Sequence, residues 1–452
     1  MSPPPESSAV QTVDLAVAPS GDSWDYLLIV AIFAGLFALA YAALATPLLQ
    51  PLVDLARREH WSGFWVRPTV IWITMGFVLL FVRTVLWLRY RPFAPAGEDE
   101  APSLSVIVPA YNEGAMVESA IASIAQASYP KARLQIVAID DGSKDDTWNY
   151  IQHAALRFPG LVTPIRFPVN RGKRAALAEG FRRASGEIVV TVDSDSVIAR
   201  EALLAIAGPF RNPRVGAVAG KVAVHNRTAS LIPRMLHVRF ILSFDFLRSA
   251  QSVFRTVYCC PGALSAYRVA LVRDLLAEWE GQTFLGAPCT YGEDRALTNL
   301  ILRAGYDTVY QRTALVRTMV PTSYSKLCRM FLRWDRSYIR EELRFARIVW
   351  KRPPFSRVLA VYESTITNLR FPVAYSAMAL WTLNAINDPA SILRMLLAIM
   401  VVSTLYVLYY LRSERSWDFV FGILYAYFSF FALTWIFPFA ALTLRARGWL
   451  TR

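Results

Sequence analysis

Long apolar runs stand at both ends of the chain, and a finely alternating pattern fills its middle. Residues 1–25 are rich in Pro, Ser and Ala, carry no Lys or Arg, and predict a disordered tail rather than a cleavable signal peptide. Residues 26–90 hold two apolar runs, about Tyr26 to Leu49 and Thr69 to Leu88, each long enough to span a bilayer as a helix. Arg83, near the end of the second run, is placed to snorkel to the interface. Residues 100–322 switch to short apolar runs broken by turn residues and helical patterns, which predicts α/β alternation. LSVIVPAYNEG reads as a strand ending in a loop, followed by an amphipathic helix from Met116 to Ala127. LQIVAIDDGSKDDT reads as a second strand ending in acids, with Asp145 or Asp146 capping the next helix. A third unit ends at Asn170-Arg171-Gly172-Lys173-Arg174, before a helix from Ala175 to Ala184, and EIVVTVDSDS supplies a buried strand from Glu187 to Val192.

Residues 323–370 read as amphipathic helices for a membrane interface, because basic residues alternate at helical spacing with Tyr324, Leu327, Phe331, Leu332 and Ile339. Residues 371–444 carry further apolar runs at about Phe371 to Ala385, Leu393 to Leu411 and Phe419 to Leu442, the last broken by Pro438. The positive-inside rule puts the loop Arg412 to Arg415 and the tail 445–452 in the cytosol. The short arginine-bearing linker between the first two runs fits that rule poorly, so the number of crossings stays open.

Composition narrows the class. A chain of 452 residues that is 55% hydrophobic and 13% aromatic is too apolar for an ordinary soluble protein. The net charge of +14 suits nucleic acid, an anionic membrane surface or a phosphorylated substrate. Without zinc-finger spacing, an aromatic RNA motif or a basic tail, nucleic acid is the weakest of the three. Cys259, Cys260, Cys289 and Cys328 lack metal spacing and read as reduced thiols on the cytosolic side.

The candidate chemistry lies at strand ends, where open α/β sheets bind ligands. Tyr111, Asn112, Glu113, Asp140, Asp141, Lys173, Asp193 and Asp195 all fall there. Asp193 and Asp195 are two apart, so on a strand they would share a face and grip one Mg²⁺ or Mn²⁺. Taken alone, such a pair is more often a solvated turn. With Asp140 or Asp141 bonding a base or ribose and Lys173 meeting a diphosphate, the set suits a nucleotide diphosphate. No P-loop and no GxGxxG is present, which excludes the common ATPase and dinucleotide-binding plans.

The ordered set VIVPAYNEG, DDGS, NRGKR, VDSDS, GED and RW resembles the processive family 2 glycosyltransferases, which include hyaluronan, chitin and cellulose synthases. Residues 281–299, GQTFLGAPCTYGEDRALTN, and the terminal Gly448-Trp449-Leu450-Thr451-Arg452 look most like hyaluronan synthases, with rhizobial chitin oligosaccharide synthases nearly as close. The resemblance implies an α/β, GT-A-like nucleotide-sugar transferase domain inserted between N- and C-terminal transmembrane helices. It implies an inverting, processive β-glycosyltransferase in the cell membrane, multi-pass, with its catalytic domain cytosolic. Such an enzyme would use Mg²⁺ or Mn²⁺, take UDP-GlcNAc and UDP-GlcA as donors, and translocate the growing polysaccharide. A chitin oligosaccharide synthase and a non-catalytic export subunit are the alternatives.

By the same resemblance, Asp294 is the base, with Glu293 beside it orienting the loop. Tyr111, Glu113, Asp140, Asp141, Lys173, Asp193 and Arg333 bind the nucleotide sugar. Cys260, Gly262 and Trp334 meet the acceptor, and Asp195 holds the metal with Asp193 closer to the donor. Two positions depart from the family pattern. Met330 stands where the QxxRW motif has Gln, and Leu247 stands where close relatives carry Glu.

Overall fold

The computed structural model describes residues 67–446 together with a scatter of residues between 30 and 54. The expected tail, the apolar run from Tyr26 to Leu49 and the terminal Gly448–Arg452 motif therefore fall wholly or mostly outside the described residues. Helix α1 (Pro68–Arg89) starts on a proline, whose missing N–H costs nothing at a helix start. An extended segment then leads into the sheet.

The sheet has eight strands in the order β3-β2-β1-β4-β7-β6-β10-β5. β1 (Leu104–Ala110), β2 (Leu134–Asp140), β3 (Val162–Arg166) and β4 (Ile188–Thr191) are mutually parallel. They alternate with α2 (Met116–Ala125), α3 (Thr147–Arg157) and α4 (Lys173–Arg183). All seven residues of β1 are buried, as expected of a parallel strand covered on both faces. Val106 and Val108 enter one apolar cluster and Ile107 the other, so the period of two divides the core between the faces. β5 (Ser196–Ile198) is antiparallel to β10 (Asp307–Thr318), which runs parallel to β6 (Val215–Val224). β7 (Ser265–Arg268) lies antiparallel between β4 and β6.

Helix α5 (Ala202–Ala207) precedes β6. Helix α6 (Leu231–Ile241) passes through a π-helical turn, Leu242–Phe246, into α7 (Leu247–Val253). α8 (Val269–Glu280), the short hairpin β8 (Thr283–Phe284) and β9 (Ala287–Pro288), and α9 (Glu293–Arg303) complete the domain.

Beyond the sheet come α10 (Tyr324–Ile348), α11 (Pro354–Asn387), α12 (Ala390–Glu414), α13 (Phe419–Phe428) and α14 (Ile436–Leu442). Among the described residues, α1 and α12 are long and apolar enough to cross a membrane. α13, the π-turn Ser429–Leu433 and α14 form a third candidate, bent by 45°.

Two expectations change here, and the reading of α10 gains detail. The segments Ser356 to Arg370 and Phe371 to Ala385 form one 34-residue helix that runs through Pro372. Its charges are held by neighbours: Glu363 meets Arg83 at 3.1 Å, and Arg370 lies over Trp72. Arg83 accordingly turns inward to Glu363 and Thr367 instead of snorkelling. α10 keeps two of its arginines inside the protein: Arg336 and Arg340 are buried, while Lys326, Arg329 and Arg347 stay exposed. Arg340 donates to the carbonyl of Tyr291 and to Glu341, while Arg336 donates to Thr443 Oγ1 at 2.8 Å. A helical stripe shows which face of α10 is apolar; its partners lie dozens of residues away in sequence.

Candidate active site

Strand β4 stops at Thr191, so Asp193 and Asp195 stand in the turn before β5 rather than on a strand face. The turn still brings both to one cavity of about 980 Å³, which also takes in Lys173, Gly262, Glu293, Asp294, Arg333 and Trp334. Asp195 Oδ1 accepts from Thr318 Oγ1 at 3.1 Å and from Ser196 Oγ at 3.2 Å. Asp193 forms an ion pair with Lys173 Nζ, which also lies 3.6 Å from Glu293 Oε1.

Lys173 begins α4, and Asp141 fixes that start. Its carboxylate accepts from Arg171 N at 2.7 Å, Gly172 N at 2.8 Å and Asn170 Nδ2 at 3.0 Å. Asp140 is fully buried, accepts from Ser143 N at 2.9 Å and pairs with Arg166 at 3.2 Å. The strand-end loops brace one another, with Asn112 N donating to Ser143 Oγ and Glu113 N to Thr147 Oγ1. Thr147 is in turn held by Asp145, whereas Asp146 makes no side-chain cap bond. Tyr111, Glu113, Asp140 and Asp141 do not line the cavity.

Gly262 lies against the Lys173–Asp193 pair. A Cβ there would come within 2.9 Å of Lys173 Nζ and 3.2 Å of Asp193 Oδ1. Cys260 is buried in the core below it and does not line the cavity; Cys259 does.

The two acids of Gly292-Glu293-Asp294 open α9. Gly292 is left-handed at φ 75°, and a Cβ would fall 1.9 Å from Ser337 Oγ of α10. A side chain here is therefore excluded twice, by conformation and by contact. Asp294 Oδ1 accepts from Arg295 N at 2.7 Å, and the Cys259 thiol lies 3.5 Å from Oδ2. Burial and then the charge of Glu293 push the Asp294 carboxyl above its ordinary value. Burial opposes ionisation of Glu293 as well, but Lys173, backbone bonding and Arg333 outweigh it and hold Glu293 below the usual carboxylate range. Burial likewise works against the charge on Lys173, and Asp193 and Glu293 overcome it, so its pKa stands raised. Two adjacent carboxyls thus have their affinities for a proton driven apart.

α10 supplies the roof. Arg333 faces the cavity, and its positive charge bears on both Lys173 and Glu293. The ring of Trp334 packs among Phe331 at 5.7 Å, Phe240 at 5.9 Å and Phe244 at 6.4 Å. Met330 is buried against this wall, and Leu247 lines the cavity at the start of α7. The sequence did not single out Arg295, Glu342, Arg83 or Glu363 as cavity residues. Their only signal is that they are charges set in otherwise apolar or basic helices.

Residues 105–276 match the model of glycosyl transferase family 2. The chain is 32% identical over 352 residues to an N-acetylglucosaminyltransferase of Azorhizobium caulinodans, covering 78% of this chain and 87% of that one. The chain belongs to glycosyl transferase family 2. This glycosyltransferase is also 34% identical over 292 residues to an N-acetylglucosaminyltransferase of Rhizobium meliloti, covering 62% of this chain and 68% of the relative. It is 33% identical over 280 residues to a hyaluronan synthase of Streptococcus pyogenes, covering 61% and 65%. A mannosyltransferase of Pyrobaculum calidifontis, solved with GDP-Man and Mn²⁺, superposes with a TM-score of 0.57 at 23% identity, over 80% of this chain and 96% of that one. The transferase domain has the GT-A-like fold, with apolar helices on both sides of it in sequence.

Proposed function

We propose that the chain is a membrane-embedded, inverting β-N-acetylglucosaminyltransferase that extends a sugar chain from UDP-GlcNAc. The observation that carries this reading is the joining of Asp294 to the Lys173–Asp193 pair, Asp195 and Arg333 in one cavity. The named activities of the Azorhizobium and Rhizobium relatives favour GlcNAc over the paired UDP-GlcNAc and UDP-GlcA donors expected of a hyaluronan synthase.

In the reaction, Asp294 takes the proton of the acceptor hydroxyl. That oxygen forms a bond to C1 of the donor sugar as the C1–O bond to the diphosphate breaks. Attack from the face opposite the leaving group turns an α-linked donor into a β-linked product. Lys173 and Arg333 attract the departing UDP, and Asp141 keeps Lys173 in place through the α4 start. Trp334 offers a flat apolar face to a sugar ring, and Gly262 leaves room beneath it. Among the described residues no group of three or more His, Cys, Asp or Glu side chains is built to hold a metal. The pair Asp193 and Asp195 nonetheless fits a hard cation that completes its shell with phosphate oxygens and water, because both are oxygen donors and Asp195 is fixed by two hydroxyls. Such a Mg²⁺ or Mn²⁺ ion would neutralise diphosphate charge.

The cavity continues past Trp334 to Tyr375, Trp381, Tyr406 and Tyr425 of the C-terminal helices, which supports a product that stays bound, is extended and moves outward. Phe81 on α1 and Leu408 on α12 are exposed, which suits a lipid-facing surface. Lys221 binds Glu414 at 2.7 Å, so the loop after α12 stands on the same side as the transferase domain, the cytosolic side in this reading. The whole protein, purified in detergent, should release UDP from UDP-GlcNAc alone in the presence of Mn²⁺ or Mg²⁺. Turnover only when UDP-GlcA is added would favour the hyaluronan synthase reading, and no turnover with any UDP-sugar would remove both.

A further inference from the structure

The passage from α6 to α7 is the π turn Leu242–Phe246, and of its five residues Asp245 alone does not line the cavity. Its carboxylate is fully buried on the other side, toward β6 and β10. Oδ1 accepts from Arg312 Nε at 2.8 Å, Tyr310 Oη at 3.1 Å and Ser249 Oγ at 3.2 Å. Oδ2 accepts from Ser413 Oγ at 3.4 Å and lies 3.7 Å from Lys221 Nζ, which donates to Glu414 at 2.7 Å. Arg312 and Lys221 belong to β10 and β6, and Ser413 and Glu414 to the last turn of α12. Beside them, Phe246 of the turn and Trp87 of α1 pack on the ring of Tyr409 of α12, at 4.4 and 4.7 Å.

Two irregularities of the backbone converge on this carboxylate. One is the π turn itself, a rare break in a helix. The other lies in β10, whose pairing with β6 passes from Gln311 opposite Gly220 to Leu315 opposite Lys221. Arg312, Thr313 and Ala314 bulge out between them, and a bulge re-aims the side chains it carries. Arg312 thus reaches Asp245 from one edge of the bulge, and Lys221 reaches it from the other. A largely buried set of two carboxylates and two cations costs more to desolvate than an apolar contact would, so packing alone does not call for it. What the set supplies is direction, because its bonds are all made in only one arrangement of sheet, turn and helix.

The joined elements are the inner and outer walls of the same cavity. On the turn, Phe244 faces the ring of Trp334 at 6.4 Å and carries Arg248 over its own ring at 4.1 Å. On α12, Val402, Tyr406 and Val407 line the outer part. A chain lying across both parts stays held only while the turn and the helix keep their register.

We propose that the cluster of Asp245, Arg312, Lys221 and Glu414 is a joint that locks α12 to the π turn and the sheet. Asp245 and Lys221 are its positioning residues, and by holding the two walls in register they keep a bound sugar chain from being released between additions. The effect on a sugar chain rests on the reading of the cavity as the site of transfer; the joint itself does not.

The joint is tested by hydrogen exchange, read by mass spectrometry on the whole protein in detergent. Asp245→Asn removes the shared carboxylate, and the amides of residues 242–246 and 409–414 should both exchange roughly tenfold to hundredfold faster, the scale of one lost charge-assisted bond. β1 and β2 should keep their protection, which a general loss of stability would not allow. Lys221→Met, at a partly exposed residue, leaves Asp245 and Glu414 without the cation between them. It should loosen the same two segments, and it serves alone if Asp245→Asn does not fold. Exchange that rises in only one of the two segments, or rises equally in β1 and β2, would overturn the joint. With UDP-GlcNAc, the variants should release UDP at close to the rate of the unaltered protein but make shorter products. Products of unaltered length would overturn the positioning role. If the unaltered protein transfers no sugar, the transfer reading falls while the exchange result still decides the joint.

Discussion

The two halves of the transferase domain are built on different principles. The first, β1 to β4 with α2 to α4, is a parallel layer in which the acids that end β2 are spent on the protein itself. Asp141 holds the start of α4 and Asp140 its own turn. The second half, from β5 to α10, leaves its polar groups facing the cavity, where Asp294, Glu293 and Arg333 stand among long-range neighbours. The first half makes a rigid platform from local bonds. The second assembles chemistry by bringing together segments far apart in sequence.

This contrast can be broken at graded cost. The largest effect should come from the second half. Asp294→Asn removes the proton acceptor and should lower UDP release by roughly 10³-fold, within the range for general-base removal, while UDP still binds by calorimetry. Next is the joint between α9 and α10. Gly292→Ala puts a side chain at a left-handed residue and against Ser337, and should cost about 2–4 kcal/mol, read as a lowered melting temperature with loss of turnover. The smaller test lies in the first half. Asp141→Asn weakens the bonds to Arg171 N and Gly172 N and should cost about 1–3 kcal/mol, with a higher KM for the donor as Lys173 loses its fixed position. A catalytic loss at Asp141 as large as that at Asp294 would erase the distinction between platform and chemistry.

The same contrast governs what could be read beforehand. β1, β2 and β4 are continuous apolar runs ended by Asn, Gly and Asp, so their place and the ligand-bearing ends follow from local pattern. Asp193 and Asp195 do not share a strand face because β4 ends two residues before Asp193, yet the turn keeps both carboxylates at the cavity. Cys260 and Cys259 could not be told apart from sequence, since which of two neighbours faces inward depends on the bend before β7. Nothing local tells that Arg83 meets Glu363, 280 residues away, or that Arg340 reaches the loop before Glu293. Periodicity marks an apolar face, but the partner of a buried charge is a property of the assembled fold.

The central claim is that Asp294 takes the acceptor proton with a pKa lifted by burial and by the charge of Glu293. Deprotonated Asp294 is the active form, so turnover must fall as pH drops through that lifted value, above the ordinary aspartate range. Glu293→Gln removes one lifting charge while Lys173 and Arg333 remain, which lowers the Asp294 pKa. The direct measurement is the pH profile of kcat/KM for the unaltered enzyme and for Glu293→Gln. The acid limb should move to lower pH in the variant, whatever happens to its maximum rate. A limb that stays where it was, or moves to higher pH, would contradict Asp294 as the base.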